Sequence, residues 1–181
     1  RQKISAFERH REANLRGLQE ALRNGTYCPM PVRRVQIPKP GSKETRPLGI
    51  PTVRDRVVQT AVRNVLEPIF EREFAEHSYG FRPGRGCKDA LRRVEGLLTE
   101  GYTWVVDADL KSYFDTIPHD KLMEQLRQKV ADGRVLALIE AFLKAGIMDG
   151  LKEWTPETGS PQGSVISPLL SNIYLDPLDH Q

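Results

Sequence analysis

The chain has 181 residues, 39% of them hydrophobic and 28% charged, which places it among ordinary globular proteins and excludes fibrous or disordered chains. At this length roughly 70% of the unfolded surface can be buried, so no disulfide framework is needed, and the two cysteines, Cys28 and Cys87, fit reduced thiols of a cytoplasmic protein. The net charge of +3 hides a division: residues 1–93 hold 20 Lys and Arg against 10 Asp and Glu, whereas residues 94–181 hold 7 against 14. A basic first half suits a polyanionic partner, and it equally suits two solvated faces of opposite sign.

In chain order, Ile4, Phe7, Leu15, Leu18 and Leu22 among charges predict an amphipathic helix over 4–23 that Asn24-Gly25 ends. Six prolines between Pro29 and Pro51 exclude helix there. Val32, Val35, Ile37, Leu48 and Ile50 predict a basic β-hairpin turning at Pro40-Gly41-Ser42. Val57, Val58, Ala61, Val62, Val65 and Leu66 predict a helix over 54–66 that Pro68 perturbs or ends. A Gly- and Arg-rich loop, Tyr79 to Gly86, precedes a helix from about Cys87 to Thr99.

Tyr102 to Leu110 has the apolar, β-branched character of a central strand, and it runs into Asp107, Asp109 and Asp115. Helices near 119–131 and 133–145 follow, then a hairpin over 147–158. The chain closes with Ser160-Pro161-Gln162-Gly163 and an apolar helix from about Ser167 to Leu178. No apolar run approaches the ~20 residues of a membrane span, and the first residues lack the apolar stretch of a signal peptide, so no membrane partner is expected. Helical and extended patterns alternate without regular βαβ spacing, which predicts an α+β fold.

A strand that delivers carboxylates to its C-terminal end suits divalent metal, since Mg²⁺ prefers oxygen ligands and leaves positions for water and phosphate. Alternation puts Asp107 and Asp109 on one face. Surface residues capping the strand and the next helix would show the same pattern.

Five collinear motifs decide between these. Ile37-Pro38-Lys39-Pro40-Gly41, Arg46-Pro47-Leu48-Gly49-Ile50-Pro51, Tyr79-Gly80-Phe81-Arg82-Pro83-Gly84-Arg85, Asp109 to Asp115, and Ser160-Pro161-Gln162-Gly163 with Ser167-Pro168-Leu169-Leu170-Ser171-Asn172-Ile173 resemble a bacterial group II intron reverse transcriptase over nearly the whole chain. The resemblance implies the fingers and partial palm of a right-hand polymerase, with residues 1–101 on the fingers side and 102–181 in the palm. It implies RNA-directed DNA synthesis with a maturase role in splicing. The implied partners are an RNA template (intron RNA), a DNA primer and dNTP, with Mg²⁺ as cofactor.

By the same resemblance Asp109 is the catalytic, metal-binding carboxylate and the Leu110 carbonyl a second ligand. The family places an aromatic residue five positions after that Asp, and 109 plus five is Phe114, whereas Asp107 would put Ser112 there. Phe114 would lie under the sugar and exclude a 2′-hydroxyl. Asp115 reads as structural. Lys39 and Arg46 would grip the triphosphate, with Lys43 a weaker candidate, and Gln162 would contact the nascent base pair or sugar.

Arg33, Arg34, Arg56, Arg63, Arg82 and Arg85 are candidates for template and primer, with Arg54 beside them, although Arg56 and Arg63 could instead pair with Glu67 or Asp55. Tyr79 and Phe81 could stack on bases or anchor their loop. The family's second palm motif, Tyr-x-Asp-Asp, supplies further metal carboxylates, and this sequence contains no Asp-Asp pair. The expectation is a fragment cut before that motif, inactive alone, with an exposed strand edge that favours self-association. Two other readings stay open: a CRISPR-associated or diversity-generating reverse transcriptase of the same lineage, and a non-catalytic module that binds intron RNA.

Overall fold

A computed structural model of the chain describes residues 3–41 and 43–180, so Ser42 of the expected hairpin turn lies outside the described residues. Two helices open the chain, α1 (Ile4–Glu8) and α2 (Arg11–Arg23), where the sequence predicts one. The break follows the burial of Phe7: Asn14 Nδ2 turns back and donates to the Phe7 carbonyl at 2.9 Å, satisfying an acceptor freed at the helix end.

Strands β1 (Val32–Pro38) and β2 (Thr45–Ile50) form the expected antiparallel hairpin, with Ile37 opposite Arg46, Val35 opposite Leu48 and Arg33 opposite Ile50. Helix α3 (Val53–Phe70) starts at Thr52, whose Oγ1 accepts from the Asp55 amide at 3.2 Å. It runs through Pro68 rather than stopping there. The proline removes one late hydrogen bond, and the burial of Leu66 before it and Phe70 after it offsets the loss.

Helices α4 (Cys87–Thr99), α5 (Tyr113–Thr116), α6 (His119–Lys129) and α7 (Gly133–Leu143) follow, and Asp132 caps α7 by accepting from the Arg134 amide at 2.8 Å. The second hairpin, β3 (Ile147–Asp149) and β4 (Lys152–Trp154), is shorter than expected and joins the first, β3 running parallel to β1. The four-stranded sheet therefore has the order β2-β1-β3-β4. Helix α8 (Ser167–Asp179) closes the fold. Leu66, Ile117, Leu122, Leu126, Ile139, Leu143, Ile166 and Leu170, contributed by α3, α6, α7, α8 and the turns between them, are almost wholly buried, each side chain contributing about 1.5–3 kcal/mol.

One expected element does not form. Tyr102 to Leu110 makes no strand, and Trp104 and Val106 are 96% and 94% exposed. A strand exists only through the ladder it shares with a neighbour, and among the described residues no strand pairs with this segment. No helix of the described residues is long and apolar enough to cross a membrane, and both cysteines are free and exposed.

Candidate functional site

The loop carrying Gln162 is tied to two other candidate elements by backbone hydrogen bonds. Towards β2, the Gly49 amide donates to the Gln162 carbonyl at 2.6 Å. Towards α5, the Ser160 amide donates to the Phe114 carbonyl at 2.7 Å, and the neighbouring Gly159 amide to that of Ile117 at 2.8 Å. Gly163 has a φ of +100°, and a Cβ there would lie 2.7 Å from Leu48 Cδ1 and 2.8 Å from the Gly49 carbonyl oxygen, so the close seat of this loop on β2 needs glycine.

Buried polar side chains hold the same loop from beneath. The Ser160 and Ser167 hydroxyls lie 2.5 Å apart, Ser167 also donates to the Pro161 carbonyl at 3.1 Å, and His119 Nε2 sits 2.6 Å from the Gly159 carbonyl. Gln59 of α3 accepts through Oε1 from the Ser164 hydroxyl at 2.9 Å and from the Val165 amide at 3.0 Å. The sequence marks Gln59 in one way, as a polar residue on the helix face that buries Val58, Val62 and Leu66. His119 carries no such mark, because its role comes from the fold bringing residues 119 and 159 together.

The hairpin places Arg46 on the same sheet face as Ile37, Leu48 and Arg33, since paired residues share a face; Arg34, Pro47 and Gly49 occupy the other. Arg33 and Arg34 therefore serve opposite sides of the sheet. Arg34 packs its guanidinium 5.7 Å from the ring centre of Trp154, and both line a cleft of about 460 Å³ that Gln162 and Asp115 also border. Lys39 Nζ bonds Glu44 Oε2 at 2.7 Å, which holds the Glu44 carboxyl below its usual range. The pair is open to water, so exchanging Glu44 for a phosphate oxygen costs little. Lys43 is exposed beside it.

Phe114 is half-buried between two rings, edge-on to Tyr113 at 5.8 Å and to Phe81 at 6.3 Å. Tyr113 anchors this group: its hydroxyl donates to the Ser171 carbonyl at 2.8 Å, and burial pushes its pKa up to about 12. Phe81 is 67% exposed and has a φ of +56°, unusual for a bulky residue. It is thus an exposed partner of Phe114 and not a buried anchor of its loop. Asp109 and Leu110 lie on the exposed segment between α4 and α5, and Asp107 beside them is exposed as well. Asp115 is exposed, with its carbonyl accepting from Thr158 Oγ1 at 3.1 Å, in keeping with a structural part.

The basic candidates divide. Arg82 is turned inward, its side chain 2% exposed, bonding Glu71 Oε1 through Nε at 2.9 Å and the Ala75 and Ser78 carbonyls through Nη1 at 2.6 and 2.9 Å, over the ring of Phe74. The expectation that it meets nucleic acid is corrected: every arm of its guanidinium is engaged in closing the loop. Arg85 donates to the Glu76 carbonyl and keeps part of its surface. Arg63 pairs with Glu67 at 3.6 Å, whereas Asp55 is taken by Tyr27 and Thr52 hydroxyls at 2.5 and 2.6 Å. Arg54 and Arg56 are exposed.

Asp109 and the Leu110 carbonyl are hard oxygen donors of the kind Mg²⁺ takes, but among the described residues no three Asp, Glu, His or Cys side chains gather as a metal-binding group.

Comparison with known proteins identifies the family. Residues 37–181 match the family described as reverse transcriptase (RNA-dependent DNA polymerase). The chain is 44% identical over 168 residues to the group II intron-encoded protein LtrA of Lactococcus lactis subsp. cremoris, covering 93% of this chain and 28% of that protein. To Protein YkfC of Escherichia coli K12 it is 49% identical over 167 residues, covering 90% of this chain and 43% of that protein. A solved Cas6-RT-Cas1–Cas2 complex superimposes with a TM-score of 0.60 at 28% identity, over 93% of this chain and 29% of the other. Since the match runs from the end of β1 to the last residue and takes in β2, the Phe114 turn and the Gln162 loop, the chain belongs to the reverse transcriptase family.

Proposed function

We propose that the whole protein is an RNA-directed DNA polymerase of the group II intron type with a maturase role, and that this chain supplies its nucleotide-binding fingers side (1–101) and the first part of its palm (102–181). The observation that carries the reading is the hydrogen-bonded frame in which one loop joins Phe114 to β2: the residues proposed for sugar, base and triphosphate are fixed relative to one another. Arg46 and Lys39 bind the triphosphate oxygens, Gln162 meets the new base pair or its sugar, and Phe114 fills the space a ribose 2′-hydroxyl would need.

Asp109, with the Leu110 carbonyl, holds Mg²⁺, which when bound stabilises charge on the reacting phosphate. Arg33, Arg34, Arg56, Arg63 and Arg85 position RNA template and DNA primer through phosphates without reading sequence. The intron RNA itself serves as the RNA partner in splicing. The higher identity to intron-encoded relatives than to the CRISPR-associated structure supports the intron-type reading over its alternative. The bare Trp104-Val105-Val106 segment supports self-association of the chain, to be read by light scattering at several concentrations.

The test is steady-state primer extension on an RNA template by the whole protein carrying Arg46→Ala. The expected result is a rise in dNTP KM of about tenfold or more, the cost of one charge-assisted phosphate contact. A KM no different from that of a neutral surface change such as Glu12→Gln overturns the triphosphate role.

A further inference from the structure

Gln59 occupies an unusual place for an amide. It sits in the middle of α3, 3% exposed, on the face that packs Val58, Val62 and Leu66 into the core. A Leu or Met of similar volume would fill that space without desolvating a polar group, a burial that costs a few kcal/mol unless it is answered. It is answered: Oε1 accepts from the Ser164 hydroxyl and the Val165 amide, Ser164 itself being 6% exposed. What the amide adds over an apolar residue is a fixed distance between α3 and the loop.

That distance matters because of which loop it is. Gln162 is held at its own carbonyl by Gly49 of β2, and just downstream, after Gly163, by Gln59 of α3. Gly163 between the two anchors has a left-handed backbone and no side chain, and glycine is the residue most free to pivot. The Ser164 amide closes the turn across Gly163 by donating to the Pro161 carbonyl at 3.0 Å, and Gln59 ties the downstream side of that turn to α3. With both anchors, the backbone on either side of the pivot is fixed.

On the same helix Arg56 and Arg63 flank Gln59 one turn to either side, Arg56 exposed and Arg63 partly covered beside Glu67, so α3 connects a basic surface to the Gln162 loop through one buried side chain. We infer that Gln59 is a positioning residue that sets the reach of Gln162 towards the incoming nucleotide. The inference rests on the proposed nucleotide role of Gln162.

The experiment compares the whole protein with its Gln59→Met, Gln59→Glu, Ser164→Ala and Gln162→Ala variants in RNA-templated primer extension, recording dNTP KM, kcat and primer–template affinity separately. Met matches Gln in length and removes the acceptor; Glu keeps an acceptor oxygen. Gln59→Met is expected to raise the dNTP KM about tenfold with primer–template affinity unchanged, Gln59→Glu to recover most of the loss, and Ser164→Ala to reproduce part of it. The double change Gln59→Met with Ser164→Ala is expected to cost little more than Gln59→Met alone.

If Gln162→Ala raises KM while Gln59→Met and Ser164→Ala do not, the inference is overturned and the role of Gln162 stands. If Gln162→Ala leaves KM unchanged, the reading of Gln162 fails and the inference falls with it. Equal losses in Gln59→Glu and Gln59→Met also overturn it, because they would mark Gln59 as packing only. Should Gln59→Met not fold, Ser164→Ala decides from the loop side without disturbing the helix.

Discussion

The amide of Ser160 donates to the carbonyl of Phe114 at 2.7 Å, so the ring proposed to lie under the nucleotide sugar and the loop proposed to meet its base move as one body. Gly49 extends the body to β2 through its bond to Gln162. Pre-organisation of this kind matters because an error of an ångström in a nucleotide pocket costs orders of magnitude in rate.

Phe114 is held edge-on by Tyr113 and Phe81, so shortening it opens space without moving its supports. Phe114→Val in the whole protein is expected to raise ribonucleotide use relative to dNTP at least tenfold, measured as the ratio of kcat/KM values. Unchanged discrimination would remove Phe114 from the sugar site.

Gly163→Ala brings a Cβ within 3 Å of both Leu48 and the Gly49 carbonyl, at a backbone angle that alanine resists. A loss of about 2–4 kcal/mol is expected, seen as a lower midpoint in denaturant unfolding of the chain. Gly17→Ala, at a helical position with open space, is the control and should be neutral or slightly stabilising.

Tyr27 donates to Asp55 at 2.5 Å, and burial first, then this bond, push its pKa well above the ordinary 10.0. A phenol whose folded pKa lies above its unfolded value contributes in full below the unfolded value and loses that contribution as pH rises, because the unfolded chain releases its proton first. Tyr113, raised to about 12, acts in the same direction. Stability should therefore fall from pH 10 upward, and Tyr27→Phe should flatten part of that fall in chemical denaturation. An identical slope in the variant would contradict the linkage.

Arg82 and Arg56 should separate cleanly. Arg82→Ala leaves Glu71 and two carbonyls without their donor and should destabilise the chain by about 2–4 kcal/mol. Arg56→Ala, exposed on α3, should leave the unfolding midpoint within about 0.5 kcal/mol of the original while reducing the salt slope of RNA binding by about one. The opposite pattern would return Arg82 to the nucleic-acid surface.

Helices and the first hairpin were legible because apolar spacing, caps and turn residues act locally: Val58, Val62 and Leu66 announce α3, and Asn24-Gly25 ends α2. The α1–α2 break was not, because it depends on Phe7 finding the core. Tyr102 to Leu110 reads as a strand for a sound reason, its β-branched apolar character, yet strand formation also needs a neighbour that sequence pattern cannot supply. Within the proposed site, Lys39, Arg46, Phe114 and Gln162 are proposed from their motifs, whereas Gln59 and His119 bond to residues 105 and 40 positions away. Arg82 stands in a motif rich in exposed arginine, and only the fold shows that its charge turns inward.

The most direct test of the central claim is RNA-templated primer extension by the whole protein with Asp109→Asn beside Asp107→Asn. If Asp109 is the catalytic carboxylate, its change removes activity by roughly 10³-fold or more, about 4 kcal/mol of barrier, while Asp107→Asn retains most of it. Full activity in Asp109→Asn, or loss confined to Asp107→Asn, would contradict the assignment of the site.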